Sequence, residues 1–218
     1  LSVLAERFAG IPRLALTATA DPRTREEIRV RLQLEQGRLF LASFDRPNIH
    51  YNIIEKKDAR KQLLTFIHGH HLGAAGIVYC SSRKRVEETA SWLVGKGIKA
   101  LPYHAGMSSD ARLVNQRRFL DEDSIVMVAT IAFGMGIDKP DVRFVAHLDM
   151  PKSIESYYQE TGRAGRDGLD AEAYMLFDPA DIGRVRHLIE QSEPGPQQQV
   201  EFHKLHTMAA FAEAQTCR

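Results

Sequence analysis

The side chains best suited to phosphate chemistry lie in one stretch, Tyr157-Tyr158-Gln159-Glu160-Thr161-Gly162-Arg163-Ala164-Gly165-Arg166-Asp167-Gly168. Read as a helix, it places Gln159, Arg163 and Arg166 at i, i+4 and i+7, so that all three leave one face. Each guanidinium is a planar fork of N–H donors that matches phosphate or carboxylate oxygens. Gly162 and Gly165 each cost such a helix about 1 kcal/mol relative to Ala. Glycines beside arginines let another surface come close. The same pattern also fits a surface helix whose arginines pair with Glu160 and Asp167.

A rigid scaffold must hold such a face, and the hydrophobic pattern supplies one. Gly76 to Cys80 reads as a strand and Arg83 to Gly95 as a helix with Val86, Ala90 and Leu93 on one face. Ala100 to Tyr103 is a short strand whose Pro102 points to a sheet edge or a strand end. Asp110 to Leu120 is a helix capped by Ser108 or Ser109. Ser124 to Ala129 is a continuous apolar run of the kind buried in parallel sheets. Val142 to Leu148 is another, followed by the arginine stretch and then Ala171 to Phe177. Strands alternating with helices predict an α/β fold, a parallel sheet flanked by helices. Asp181 to Glu190 and Phe202 to Ala214 read as a short helical C-terminal extension, joined by a linker at Pro194 to Gln199.

Upstream, Arg13 to Thr17 reads as a short buried strand. Asp21 is an N-cap with Pro22 at the first helical position, and Leu39-Phe40-Leu41 is a second apolar run. Pro47 restricts Arg46 to extended conformations, and the chain turns polar over Ser43 to Asn48. A boundary placed there and a second at 190/191 divide the chain into residues 1–45, 46–190 and 191–218. The chain opens on Leu1 with Leu4 and Phe8 on the same helical face and stops at Cys217-Arg218. It is expected to be a piece of a longer polypeptide.

Composition narrows the classes. A net charge of +1 over 218 residues leaves no global field for nucleic acid, so any such binding needs a local patch. Two cysteines build no disulfide framework, and no segment resembles a secretory signal or a membrane span. Cys80, inside an apolar run, reads as a buried strand residue.

In an open parallel sheet, ligands bind beyond the carboxyl ends of the strands. The residues there are Ser81-Ser82-Arg83, His104-Ala105-Gly106 and Thr130 to Asp138. Ser82, Arg83 and Thr130 can donate to phosphates, and the helix starting near Arg83 adds backbone N–H groups. His104 fits a satisfied structural histidine as well as a ligand contact. Phe133-Gly134-Met135-Gly136 needs glycine for a sharp loop, and its apolar members could simply plug the core. No G-x-x-x-x-G-K-[ST] occurs, since Gly95-Lys96-Gly97 lacks both the loop and the hydroxyl. Asp121-Glu122-Asp123 precedes a strand rather than ending one. A nucleotide site would therefore need residues from elsewhere.

Taken in order, Ala15-Leu16-Thr17-Ala18-Thr19-Ala20-Asp21, Ser43 to Asn48, Ala132 to Pro140 and Gln159 to Gly168 closely resemble RecQ-type DNA helicases. The arginine motif alone would indicate a superfamily-two helicase acting on RNA or DNA. The resemblance covers essentially the whole chain. It implies the tail of a first RecA-like domain, all of a second, and the approach to a zinc-binding subdomain. Thr17 and Thr19 would couple hydrolysis to DNA movement. Ser82, Arg83, His104 and Thr130 would face single-stranded DNA. Gly136 and Asp138 would lie near the nucleotide, with Arg163 and Arg166 over the γ-phosphate, Arg166 as arginine finger and Gln159 beside it. Cys217 would be the first zinc ligand, with Zn²⁺ held only in the intact protein. The implied protein is a monomeric ATP-dependent 3′–5′ helicase using ATP and Mg²⁺ on single-stranded and partly duplex DNA. It would be cytoplasmic and, in a bacterium, nucleoid-associated. The fragment alone is expected to be inactive. Two other readings remain: a nucleic-acid adaptor that kept the fold but lost the motor, and an RNA helicase.

Overall fold

The computed structural model describes residues 2–8, 10–17, 20–42, 45–134 and 136–214. The chain forms two compact units, residues 1–45 and residues 46–218.

In the first unit, helix α1 spans Ser2–Arg7 and α2 spans Pro22–Arg31. Asp21 caps α2, its carboxylate accepting from the Thr24 N–H at 2.9 Å and the Thr24 hydroxyl at 2.8 Å. Arg13 to Thr17 is neither a strand nor buried, and Leu14 and Leu16 are 81% and 86% exposed. A strand needs a neighbour for its N–H and C=O groups, and the described residues of this unit contain no second strand.

The second unit is built on a six-stranded sheet: β1 (Ile49–Glu55), β2 (Ala75–Tyr79), β3 (Ala100–Tyr103), β4 (Val126–Ala129), β5 (Val142–His147) and β6 (Ala171–Phe177). Their order is β1-β6-β5-β2-β4-β3, and every pairing is parallel. Pro102 sits in β3 at the sheet edge, where its missing N–H breaks no ladder. Around the sheet stand α3 (Ala59–His70), α4 (Arg83–Val94), α5 (Ser109–Asp121), α6 (Ile154–Thr161), α7 (Pro179–Glu190) and α8 (Pro196–Glu213).

Alternation along the strands divides the core. Val78, Val128 and Ala146 face Leu63 and Phe66 of α3 and Val86, Ala90 and Leu93 of α4. Their neighbours Ile77, Met127 and Val145 face Phe119 of α5 together with Phe133 and Ala164 from loops. A third cluster joins α6, α7 and α8 through Tyr157, Val185, Ile189, Leu205 and Met208. The expected linker at 194–199 is shorter than the sequence suggests, because Pro196 is the first residue of α8 rather than part of a loop. Among the described residues no helix is long and apolar enough to cross a membrane.

Candidate nucleotide and nucleic-acid interface

The arginine stretch is not one helix. α6 ends at Thr161, with Gly162 as its C-cap and the Gly162 N–H donating to the Tyr158 carbonyl at 2.8 Å. Residues beyond it form a loop that turns through Gly165, at φ +56°, back toward β6. Arg163 and Arg166 therefore leave a loop, while exposed Gln159 stays on the last turn of α6. The glycines that a helix reading treats as costs serve here as a cap and a left-handed turn.

Both arginines grip the loop that follows β4. The Arg163 Nε donates to the Tyr79 hydroxyl at 3.1 Å and its Nη1 to the Gly134 carbonyl. Gly134 has no room for a side chain, since a Cβ would fall on the Arg163 guanidinium. Tyr79 passes the contact on, donating to the Phe133 carbonyl at 3.0 Å and lying over the His147 ring at 5.1 Å. Burial pushes the Tyr79 phenol well above its usual range, so it stays a neutral donor. His147 is fixed by a 2.6 Å bond between its Nε2 and Glu160 of α6.

Arg166 is the more accessible of the two. Its side chain is 35% exposed, with Nη1 donating to the Ile137 carbonyl at 3.0 Å and to Asp138 Oδ1 at 2.6 Å. Asp138 is 86% exposed and Gly136 is exposed beside it. Asp138 and Arg166 thus form an ion pair open to water, which is worth little and easily exchanged. Lys139 turns the other way, its ammonium reaching the Leu120 and Glu122 carbonyls at the end of α5.

The remaining predicted contacts divide. Ser82 is the N-cap of α4, accepting from the Arg85 N–H at 3.3 Å, and Arg83 is exposed at the first helical position. Arg83 lies against Gly106, where a Cβ would stand 3.1 Å from its Cδ. Thr130 sits at the end of β4 and accepts from the Ala132 N–H at 3.4 Å. His104 is buried with both ring nitrogens used. Its Nδ1 accepts from the Gly106 N–H at 3.1 Å and its Nε2 faces Glu87 at 2.8 Å. That pattern assigns the proton to Nε2 and makes His104 a support for the 104–106 turn. Thr17 lies exposed in the first unit, and Thr19, Met135 and Cys217 lie outside the described residues. No group of three or more His, Cys, Asp or Glu placed to hold a metal ion occurs among the described residues.

Two features escaped the sequence reading. Asp149, buried just past β5, receives the Ser81 N–H at 3.0 Å and pairs with Lys56 at 3.3 Å, with Arg184 at 3.2 Å and with Arg85. Burial alone would raise its carboxyl; the Ser81 bond and the Arg85 and Lys56 charges outweigh that and bring it to about 2. Lys56 also bridges to buried Asp181 at 2.9 Å. The second feature is Arg46 and Asn48, which bind the arginine loop from below. Arg46 donates to the carbonyls of Gly162, Ala164 and Gly165, and Asn48 to those of Gly165 and Leu169. The sequence marked this stretch as a polar turn at Pro47 and as one of the segments that resemble RecQ-type helicases, but assigned it no contact.

The helicase conserved C-terminal domain matches residues 55–168, and RecQ zinc-binding matches residues 179–218. The fold is that of Mss116 bound to single-stranded RNA, a DEAD-box helicase, with TM-score 0.63 at 20% identity over 87% of this chain and 42% of that one. A second DEAD-box protein, SrmB of E. coli, aligns with TM-score 0.52 at 29% identity over 67% of this chain and 86% of that one. Fold and matched domain together define a helicase C-terminal module. The chain is 49% identical to the ATP-dependent DNA helicase RecQ of Pasteurella multocida over 97% of its length, and 49% identical to that of Haemophilus influenzae over 100%. Against the RecQ-like DNA helicase BLM of Xenopus laevis it is 41% identical over 98%, which is 16% of that protein. The chain belongs to the RecQ helicase family. It spans about a third of the bacterial relatives, 33% and 35% of their lengths.

Proposed function

We propose that the intact protein is an ATP-dependent DNA helicase that moves 3′ to 5′ along one strand and separates duplex DNA in recombination and repair. The carrying observation is the pair of arginines on one loop, Arg163 bound to the Gly134 carbonyl and Arg166 to Asp138, both on the connection between β4 and β5. Arg166 is the arginine finger, exchanging exposed Asp138 for the γ-phosphate when Mg²⁺·ATP is bound by a P-loop domain outside this chain. Such a finger is worth about 10³–10⁵ in turnover in related phosphoryl transfers. Arg163, held by Tyr79 and Gly134, positions the loop rather than reaching the nucleotide. Gln159, Gly136 and Asp138 complete the nucleotide-facing set.

Ser82, Arg83 and Thr130 supply DNA phosphate contacts, and His104 shapes the turn beside Arg83. Contacts of this kind are indifferent to base sequence and weaken with salt. Thr17 and Thr19 couple hydrolysis to movement. Cys217, with ligands lying outside this chain, would hold structural Zn²⁺ in the intact protein. The protein works as a monomer, in the cytoplasm and on the nucleoid if bacterial.

The test is strand displacement by the intact protein on duplexes with a 3′ or a 5′ single-stranded tail. ATP-dependent unwinding of the 3′-tailed duplex alone is expected. DNA binding with neither unwinding nor ATP hydrolysis would leave a non-catalytic adaptor, and unwinding from the 5′ tail would refute the direction.

A further inference from the structure

We propose that Arg46 and Asn48 form a positioning clamp for Arg166, an inference that rests on the finger reading above. The loop from Gly162 to Asp170 carries no regular structure, and its outer part, from Arg166 to Asp170, is exposed. Something must fix its backbone if a side chain projecting from it is to meet a reacting phosphate in one geometry. Arg46 and Asn48 do this through four carbonyls: Arg46 takes Gly162 at 3.4 Å, Ala164 at 3.1 Å and Gly165 at 3.0 Å, while Asn48 takes Gly165 at 2.8 Å and Leu169 at 2.9 Å.

The Gly165 carbonyl is the decisive one. It belongs to the peptide unit whose nitrogen is that of Arg166. A carbonyl oxygen has two lone pairs, and here one is met by Arg46 and the other by Asn48. Two donors on one oxygen fix the plane of that peptide, and so the direction in which the Arg166 side chain leaves. On the same segment the Gly165 N–H donates to the Val142 carbonyl at 2.9 Å, and the Ala171 N–H to the Asn48 carbonyl at 2.8 Å. The peptide before Arg166 is therefore held from the sheet and from the 46–48 turn together.

Arg46 suits this role by charge as well as shape. Its cation lies at the C-terminal end of α6, where the helix dipole is negative. Among the described residues it forms no ion pair with a carboxylate. Lysine would keep the charge but not the fork, since one ammonium cannot reproduce the planar spread across three carbonyls. Arg46 and Asn48, both half-buried, bond the loop backbone and not the Arg166 side chain, so both act through Arg166.

The test measures DNA-stimulated ATP hydrolysis by the intact protein for Arg46→Ala, Arg46→Lys, Asn48→Ala, Arg166→Ala and the double variant Arg46→Ala/Arg166→Ala. Misplacing a reacting group by about 1 Å costs on the order of a hundredfold in rate. Arg46→Ala is expected to lose about that in kcat with KM for ATP changed less than about threefold. Arg46→Lys is expected to recover only part of it. The double variant is expected to be no slower than Arg166→Ala alone, because a clamp has nothing to position once the finger is gone. A structural role would instead give additive losses. Full additivity, or Arg46→Ala turnover equal to wild type while Arg166→Ala is crippled, overturns the clamp and leaves the finger standing. Wild-type turnover by Arg166→Ala overturns both. If Arg46→Ala does not fold, Asn48→Ala takes its place in the same cycle, with a smaller loss of about tenfold expected for two hydrogen bonds.

Discussion

Gly165→Ala is the perturbation that the geometry prices most directly. At φ +56° an L-residue costs about 1 kcal/mol. The new Cβ would stand 2.5 Å from Asn48 Nδ2 and 2.7 Å from the Leu169 carbonyl oxygen, with the Ala171 Cβ at 3.2 Å. A backbone carbonyl and a strand residue cannot give way, so the Asn48 amide must. Its bonds to Gly165 and Leu169 are then lost, at about 1 kcal/mol each. The sum is about 3 kcal/mol, which for a domain of this size lowers the melting temperature by roughly 6–12 °C. Gly168→Ala provides the control, since Gly168 is also left-handed at φ +82° but has nothing within 4 Å of its Cβ position. It should cost about 1 kcal/mol. Thermal unfolding of the two variants, followed by the transition of residues 46–218, gives the comparison. Equal melting temperatures for Gly165→Ala and Gly168→Ala would refute the close packing of Asn48 on the loop.

Two further outcomes follow from the buried charges. Asp149 titrates at about 2 instead of 3.8, a depressed carboxyl that stabilises the fold above its unfolded pKa and loses that contribution as pH falls through the folded value. The difference corresponds to about 2 kcal/mol. Asp149→Asn should therefore be about 2 kcal/mol less stable than wild type near pH 7 in urea titrations, with the gap closing between about pH 4 and pH 2. A gap independent of pH would mean that Lys56, Arg85 and Arg184 do not depend on that charge. Cys80 is buried, and burial with the Asp149 charge pushes its thiol up to about 12. It should resist an aromatic disulfide reagent in the native protein at pH 8 and react on unfolding; rapid native labelling would contradict the burial.

The parts of the fold carried by local pattern were legible. The continuous apolar run before Thr130, the edge proline at 102 and the Asp21-Pro22 helix start each specify themselves through neighbours in sequence. β1 and α3 were not seen as elements, because their apolar sets are sparse. Only Ile49 and Ile53 are buried in β1, and α3 buries Leu63, Phe66 and Ile67 amid lysine and histidine. Arg13 to Thr17 has the composition of a strand without the partner that makes one. At the site, residue types were readable and geometry was not. Helical spacing predicted a shared face for Arg163 and Arg166, yet a glycine cap after Thr161 puts both on a loop where they make different contacts. His104 drew attention as a possible contact, whereas Glu87 and the Gly106 N–H occupy it. The Asp149 network and the Arg46–Asn48 clamp join positions 93 and about 117 residues apart, separations over which no periodicity speaks.

The central claim is that Arg166 acts on the γ-phosphate and that its pairing with Asp138 is a resting arrangement. Single-turnover hydrolysis of ATP prebound to the intact protein with single-stranded DNA tests it most directly. With nucleotide affinity measured on the same preparation, Arg166→Ala should bind ATP within about fivefold of wild type and hydrolyse it at least about a thousandfold more slowly. Hydrolysis at the wild-type rate would make the arginine loop a structural tie and the finger assignment wrong.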